Sequence, residues 1–257
     1  MQTVARPPAP ALLHAAGLWL RGGLLTLAAL GLLLVAVVLG IAIGETEISV
    51  RTVFEVLANQ LAGASYAVDP INQGIVWNYR LTRALVAACC GAGLAISGVI
   101  LQSLLRNALA EPYLLGISAG ASTGAVLVTV AGLGAGAISM TTGAFVGAVC
   151  AFALVALLAH AAGRGGLHNS GQIVLAGIAG SQLFNALTSL IITKSGSAEQ
   201  ARGIMFWLLG SLSGVRWPDT LGAATVAVAG TVVCLLHARS LEAFTFGRES
   251  SAALGVP

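Results

Sequence analysis

The strongest constraint on this chain is a recurring length. Apolar runs at Leu24–Ile43, Ala84–Leu105, Tyr113–Leu133, Ile138–Ala162, Ile173–Thr193 and Thr220–Leu236 contain no Asp, Glu, Lys or Arg. A helix rises about 1.5 Å per residue, so runs of about 17–25 residues match a hydrocarbon layer about 30 Å thick. No long stretch alternates with a period of two, which disfavours a membrane β-barrel. These six runs predict an all-α, polytopic membrane helix bundle. Leu24–Ile43 is too long for the h-region of a cleaved signal peptide, about 7–15 residues, and reads as a retained first helix.

Composition supports this. Only 8% of residues are charged and 57% are hydrophobic, against about 25% charged in soluble domains. The 33 glycines favour close helix contacts. Gly116, Gly120 and Gly124, then Gly143 and Gly147, then Gly210 and Gly214 recur at four-residue spacing, which lets backbones approach in lipid. The net charge of +3 is dispersed and excludes a nucleic-acid partner of the usual basic kind. Cys89, Cys90, Cys150 and Cys234 lie in apolar runs and read as small buried hydrophobes, with no metal-ligand spacing.

The connections are uneven. Glu45–Asn78 is long and polar, and Ile48–Leu57 has helical periodicity suited to a surface helix. Phe206–Val215 is apolar but short, framed by Trp207 and Trp217, and reads as an interfacial or re-entrant piece. With the N-terminus in the cytoplasm, Arg6, Arg21, Arg106, Arg164, Arg239 and Arg248 fall inside. Arg51, Arg80, Arg83, Lys194, Arg202 and Arg216 fall outside, so the positive-inside rule gives no orientation.

No catalytic or metal-binding pattern is present, and Lys194-Ser195 lacks the upstream glycines of a P-loop. The absence of carboxylates at membrane depth weighs against ion-coupled carriers. Ser97 and Gln102 on one span, and Ser181, Asn185 and Ser189 on another, are polar groups at depth. Ser181, Asn185 and Ser189 share one helix face. They suit either interhelical hydrogen bonds or a weakly polar pathway lining. Arg80 and Arg83 are placed on the first turn of the second span, where the helix dipole disfavours cations. They are read either as snorkelling side chains or as a dock for a partner's carboxylates. Residues beyond Arg239 read as two short amphipathic helices with Gly247 between them and an exposed Phe244–Phe246 pair.

Six motifs in order carry a family resemblance: Arg80-Leu81-Thr82-Arg83, Arg106–Pro112, Leu115–Ala121, Leu175–Ala179, Trp207–Ser211 and Gly247–Gly255. They resemble the permease subunits of type II ABC importers, which take up iron-siderophores, haem and vitamin B12. The resemblance implies a permease without enzymatic activity or cofactor of its own, with ATP hydrolysed by a separate pair of ATP-binding subunits. It implies a homodimer of permeases, a periplasmic substrate-binding protein, and a bacterial inner membrane location with the N-terminus cytoplasmic. Residues 1–17 are then a cytoplasmic lead, 18–239 a transmembrane permease domain and 240–257 a cytoplasmic coupling segment.

The same resemblance assigns roles. Arg80 and Arg83 dock the binding protein. Asn107 and Leu109, with Ser170 and Gly171, form the cytoplasmic gate. Gly247, Arg248, Glu249, Ala252, Leu254 and Gly255 couple to the ATPase. The cargo is a bulky metal chelate moving from periplasm to cytoplasm, a ferric siderophore first, then haem or cobalamin. The alternatives are a secondary carrier or channel, or a non-transporting fragment. Thr82 and Ala108 stand where the family has proline, so looser local breaks are expected. The family has ten spanning helices; six here imply a chain truncated at its C-terminal side.

Overall fold

The computed structural model describes residues 9–131, 139–162, 170–194 and 197–246. Every regular element among them is helical. Five helices are long and apolar enough to cross a membrane: Leu20–Ala42, Pro70–Leu105, Met140–Ala161, Gly171–Thr193 and Trp217–Leu236. The expected sixth, Tyr113–Leu133, is corrected. Its helix is Ile117–Val130, 14 residues, or about 21 Å of rise. Pro112–Leu115 is taken by a 3-10 turn, and Gly116 sits in the left-handed region at φ 70°.

The chain divides into two compact units. The first comprises Met1–Cys90 and Leu212–Ala224. Its α1 (Ala9–Ala42) is apolar on all sides beyond Arg21, and Leu24, Leu27, Leu32 and Leu34 are widely exposed, as a lipid-facing span requires. The expected surface helix is α2 (Val50–Ala62). Ser49 caps it by accepting from the Thr52 amide, Gly63 ends it at φ 66°, and Arg51 pairs with Glu55 at 2.8 Å. Its apolar face buries Val53 and Val56 against Ile41, Ile48, Val76 and Leu81.

A second start signal lies at Asp69-Pro70. Asp69 accepts from the Asn72 amide, and Pro70 occupies the first turn of α3 (Pro70–Gly74), where its missing N–H is harmless. The chain continues through a π-helical turn, Ile75–Arg80, into α4 (Leu81–Leu105). The span expected from Ala84 therefore begins at Pro70 and runs 36 residues. The loosening expected at Thr82 does not occur. Its buried hydroxyl bonds back to the Asn78 and Tyr79 carbonyls, at 3.0 and 3.1 Å, and the helix passes through unbroken.

The second unit comprises Gly91–Ser211 and Thr225–Pro257. Its centre is α5 (Ile117–Val130), α6 (Met140–Ala162) and α7 (Ser170–Thr193). The glycine repeats meet there. A Cβ on Gly120 would lie 2.5 Å from the Gly147 carbonyl oxygen, and one on Gly124 would overlap that of Gly143. Gly116 is not part of this face, because it forms the turn that precedes α5. The Gly210/Gly214 pair is also corrected. Nothing lies within 4 Å of a Cβ at either, and Gly210 makes a turn at φ 82°. The Phe206–Val215 window is divided. Phe206 to Leu208 end α8 (Ala198–Leu208), and an irregular stretch leads to α9 (Trp217–Leu236). Trp217 instead packs on Trp77 within the first unit, with ring centroids 4.7 Å apart. The last described element is α10 (Ala238–Thr245).

Candidate functional site

The loop after α4 is built by its own backbone. Leu105 is buried and ends the helix. Arg106 then takes φ 50°, a left-handed value unusual for a side chain with a Cβ. The Asn107 amide donates to the Gln102 carbonyl at 3.2 Å, the long-range bond of a Schellman ending. The Asn107 Oδ1 accepts from the Leu109 amide at 2.9 Å, and the Ala110 amide donates to the Asn107 carbonyl at 3.0 Å. This side-chain-closed turn occupies the position where family members have proline, so the break expected to be looser at Ala108 is tied by hydrogen bonds. Ala110 is buried to 1% exposure and anchors the loop, whereas Leu109 is 83% exposed at its tip.

The following 3-10 turn rests on α7. The Leu114 amide donates to Glu111 and the Gly116 amide to Tyr113. A Cβ on Gly177 would overlap the Leu114 carbonyl oxygen, and one on Gly116 would stand 3.3 Å from the Ser181 amide nitrogen. Two motifs, Leu115–Ala121 and Leu175–Ala179, are thus joined through glycine. Ser170 and Gly171 begin this same α7. Gly177 is the seat of the loop, and sequence alone does not mark it out from Gly171 and Gly180 of the same helix.

A depression beside the loop is lined by Gln102, Arg106, Asn107 and Ala108, and on its other side by Thr245. Thr245 is the last residue of α10, the first of the two expected short helices. Its Phe pair is not alike: Phe246 is exposed and Phe244 half-buried. Gly247, Arg248, Glu249, Ala252, Leu254 and Gly255 lie outside the described residues.

Ser97 donates to Gly93 at 2.8 Å, Ser181 to Gly177 at 2.8 Å and Ser189 to Asn185 at 3.0 Å, each within its own helix. Gln102, Asn185 and Ser189 are exposed. A polar bond between helices is made one position away, where the Thr123 and Thr188 hydroxyls meet at 2.8 Å, both buried.

The arginines are separated by their surroundings. Arg83 is exposed. Arg80 is 9% exposed; its Nη1 donates to the Ile41 and Ala42 carbonyls at 3.0 and 2.9 Å, and its Nη2 to the Thr46 carbonyl. The argument from an unfavourable helix N-terminus is therefore corrected. Arg80 lies inside a continuous helix and over the C-terminus of α1, where a cation is favoured.

A model of the FecCD transport family matches residues 32–257. The cobalamin import system permease protein BtuC of Halobacterium salinarum is 35% identical over 264 residues, covering 89% of this chain and 69% of that protein. The hemin transport system permease protein HmuU of Yersinia pestis is 33% identical over 231 residues, covering 88% and 64%. A solved metal-chelate type ABC transporter in an inward-facing conformation superposes with a TM-score of 0.68 at 29% identity, covering 88% of this chain and 65% of that one. The helical fold and these matches define a membrane permease. The chain belongs to the FecCD transport family of type II ABC importer permeases, multi-pass proteins of the inner membrane. It spans about two thirds of the length of these relatives, 64–69%.

Proposed function

We propose that this chain forms part of the membrane pathway of an ATP-driven importer that moves a bulky metal chelate from periplasm to cytoplasm. The observation that carries the reading is the loop Asn107–Ala110, closed by its own asparagine, seated on Gly177 and lying beside the end of α10. A stiff loop in that position transmits movement from residues 247–255 to a gate formed by Asn107 and Leu109 with Ser170 and Gly171. ATP closing a separate ATPase pair then biases two states of the gate. A second permease copy completes the pathway, and Ser97, Gln102, Ser181, Asn185 and Ser189 supply its weakly polar lining. The N-terminus is cytoplasmic in this arrangement, and the Arg83 end faces the binding protein. Ferric siderophore is the first cargo to test, followed by haem and cobalamin; the relatives named for hemin and cobalamin support that class.

The test is binding-protein-stimulated ATP hydrolysis in membranes holding the chain with its ATPase and binding protein. Arg83→Glu replaces an exposed cation. It should weaken the binding protein's apparent affinity about tenfold, roughly 1.4 kcal/mol, at low salt. The effect should shrink as salt shortens the screening length toward about 3 Å. Full stimulation at unchanged affinity in low salt would remove the docking role.

A further inference from the structure

We propose that Arg80 is a positioning residue, a clasp that locks the end of α1 onto the helix carrying Arg83, so that the binding protein meets Arg83 as the free cation of the pair. This rests on the docking reading above and divides its labour. A docking arginine must leave water for a partner's carboxylate. Arg80 has already left water for the carbonyls of Ile41, Ala42 and Thr46, and no carboxylate pairs with it among the described residues. Those carbonyls include the last acceptors of α1, which end a helix without internal partners and carry the negative end of its dipole. The last turn of α1 has no basic residue of its own. Swinging Arg80 outward would strand these acceptors; Arg83 can engage a partner without breaking any described bond.

Two local features are built around the clasp. A Cβ on Gly44, where the chain leaves α1, would lie 2.7 Å from Arg80 Nη2, so any side chain there would press the guanidinium off its present seat. Arg80 is also the last residue of the π-helical turn Ile75–Arg80, whose wider winding sets the direction from which the side chain leaves the helix. The loop held this way exposes Glu45 and Glu47 and buries Ile48, so the clasp also fixes a charged rim next in sequence to α1.

The experiment titrates the binding protein against the assembled transporter at several salt concentrations and records its melting temperature. Arg83→Gln should flatten the salt dependence and leave melting unchanged. Arg80→Gln should keep the wild-type salt slope, weaken docking equally at every salt and lower melting by about 5 °C or more. Arg80→Lys should recover part of that loss. Should Arg80→Gln fail to assemble, Gly44→Ala keeps both cations and presses on the guanidinium; it should lower melting with the slope intact. Arg80→Gln with wild-type melting and a slope as flat as that of Arg83→Gln overturns the clasp, as does Gly44→Ala with wild-type melting. Absence of any docking by the wild-type transporter would sink the docking reading alone, because the melting series still reports on the clasp.

Discussion

Gly124→Leu should prevent α5 and α6 from closing and abolish the folded yield. The side chain would need space occupied by the Gly143 carbonyl, and backbone cannot rotate aside as a flexible side chain can. The reciprocal pair, Gly120 with Gly147, fixes the same distance one turn away. Lipid offers no hydrophobic force to hold the helices once this contact opens, because acyl chains solvate an apolar surface as well as another helix does. At 14 residues, α5 is also too short to be held by its own span of the bilayer. Even Gly124→Ala should lower stability by about 1–3 kcal/mol, the usual range for overpacking. Resistance to denaturation in detergent measures this. Gly31→Ala, in α1 with nothing within 4 Å, should leave stability unchanged or raise it by up to about 1 kcal/mol, the helix-propensity gain of alanine over glycine. Equal behaviour of the two alanine variants would contradict the packing.

Gly177→Val should act on transport more than on folding. Its side chain would push the Leu114 carbonyl off α7 and tilt the 3-10 turn that follows the loop proposed as the gate. The helix itself tolerates valine at a modest propensity difference, below about 0.7 kcal/mol. The damage is therefore concentrated on the loop, whose remaining ties are the Asn107 turn and buried Ala110. Cargo moved per ATP should fall about tenfold or more, equivalent to roughly 1.4 kcal/mol in the gating step. A variant that retains wild-type coupling would show that the turn's seat on α7 is not part of the gate.

Much of this arrangement was legible from single residues. Ser49 and Gly63 bound α2 as capping rules require. The spacing of Gly120, Gly124, Gly143 and Gly147 announced a helix pair, although not which repeat meets which. Gly116, Gly210 and Gly214 share that spacing and do something else, because four-residue spacing is meaningful only on an established helix. The true start at Asp69-Pro70 was visible as a cap followed by a first-turn proline, but the polar stretch after it outweighed it in a hydropathy reading. Arg80 was the larger miss. Its partners lie 34 to 39 residues earlier in the chain, and no local pattern reports which helix end a distant guanidinium will cap. Thr188 stands in the same apolar run as Ser181, Asn185 and Ser189, and residue type alone does not say which of them bonds across helices. The bond is decided by which face meets α5.

The importer reading has movement through this protein driven by ATP on another subunit. Cells lacking their own permease for the chelate, and expressing this gene with its ATPase and binding protein, should be followed for accumulation of radiolabelled ferric siderophore. Accumulation by an ATP-driven importer should stop when arsenate depletes ATP and persist when a protonophore collapses the ion gradient. Accumulation that survives ATP depletion and is lost with the gradient would contradict that reading and identify a secondary carrier.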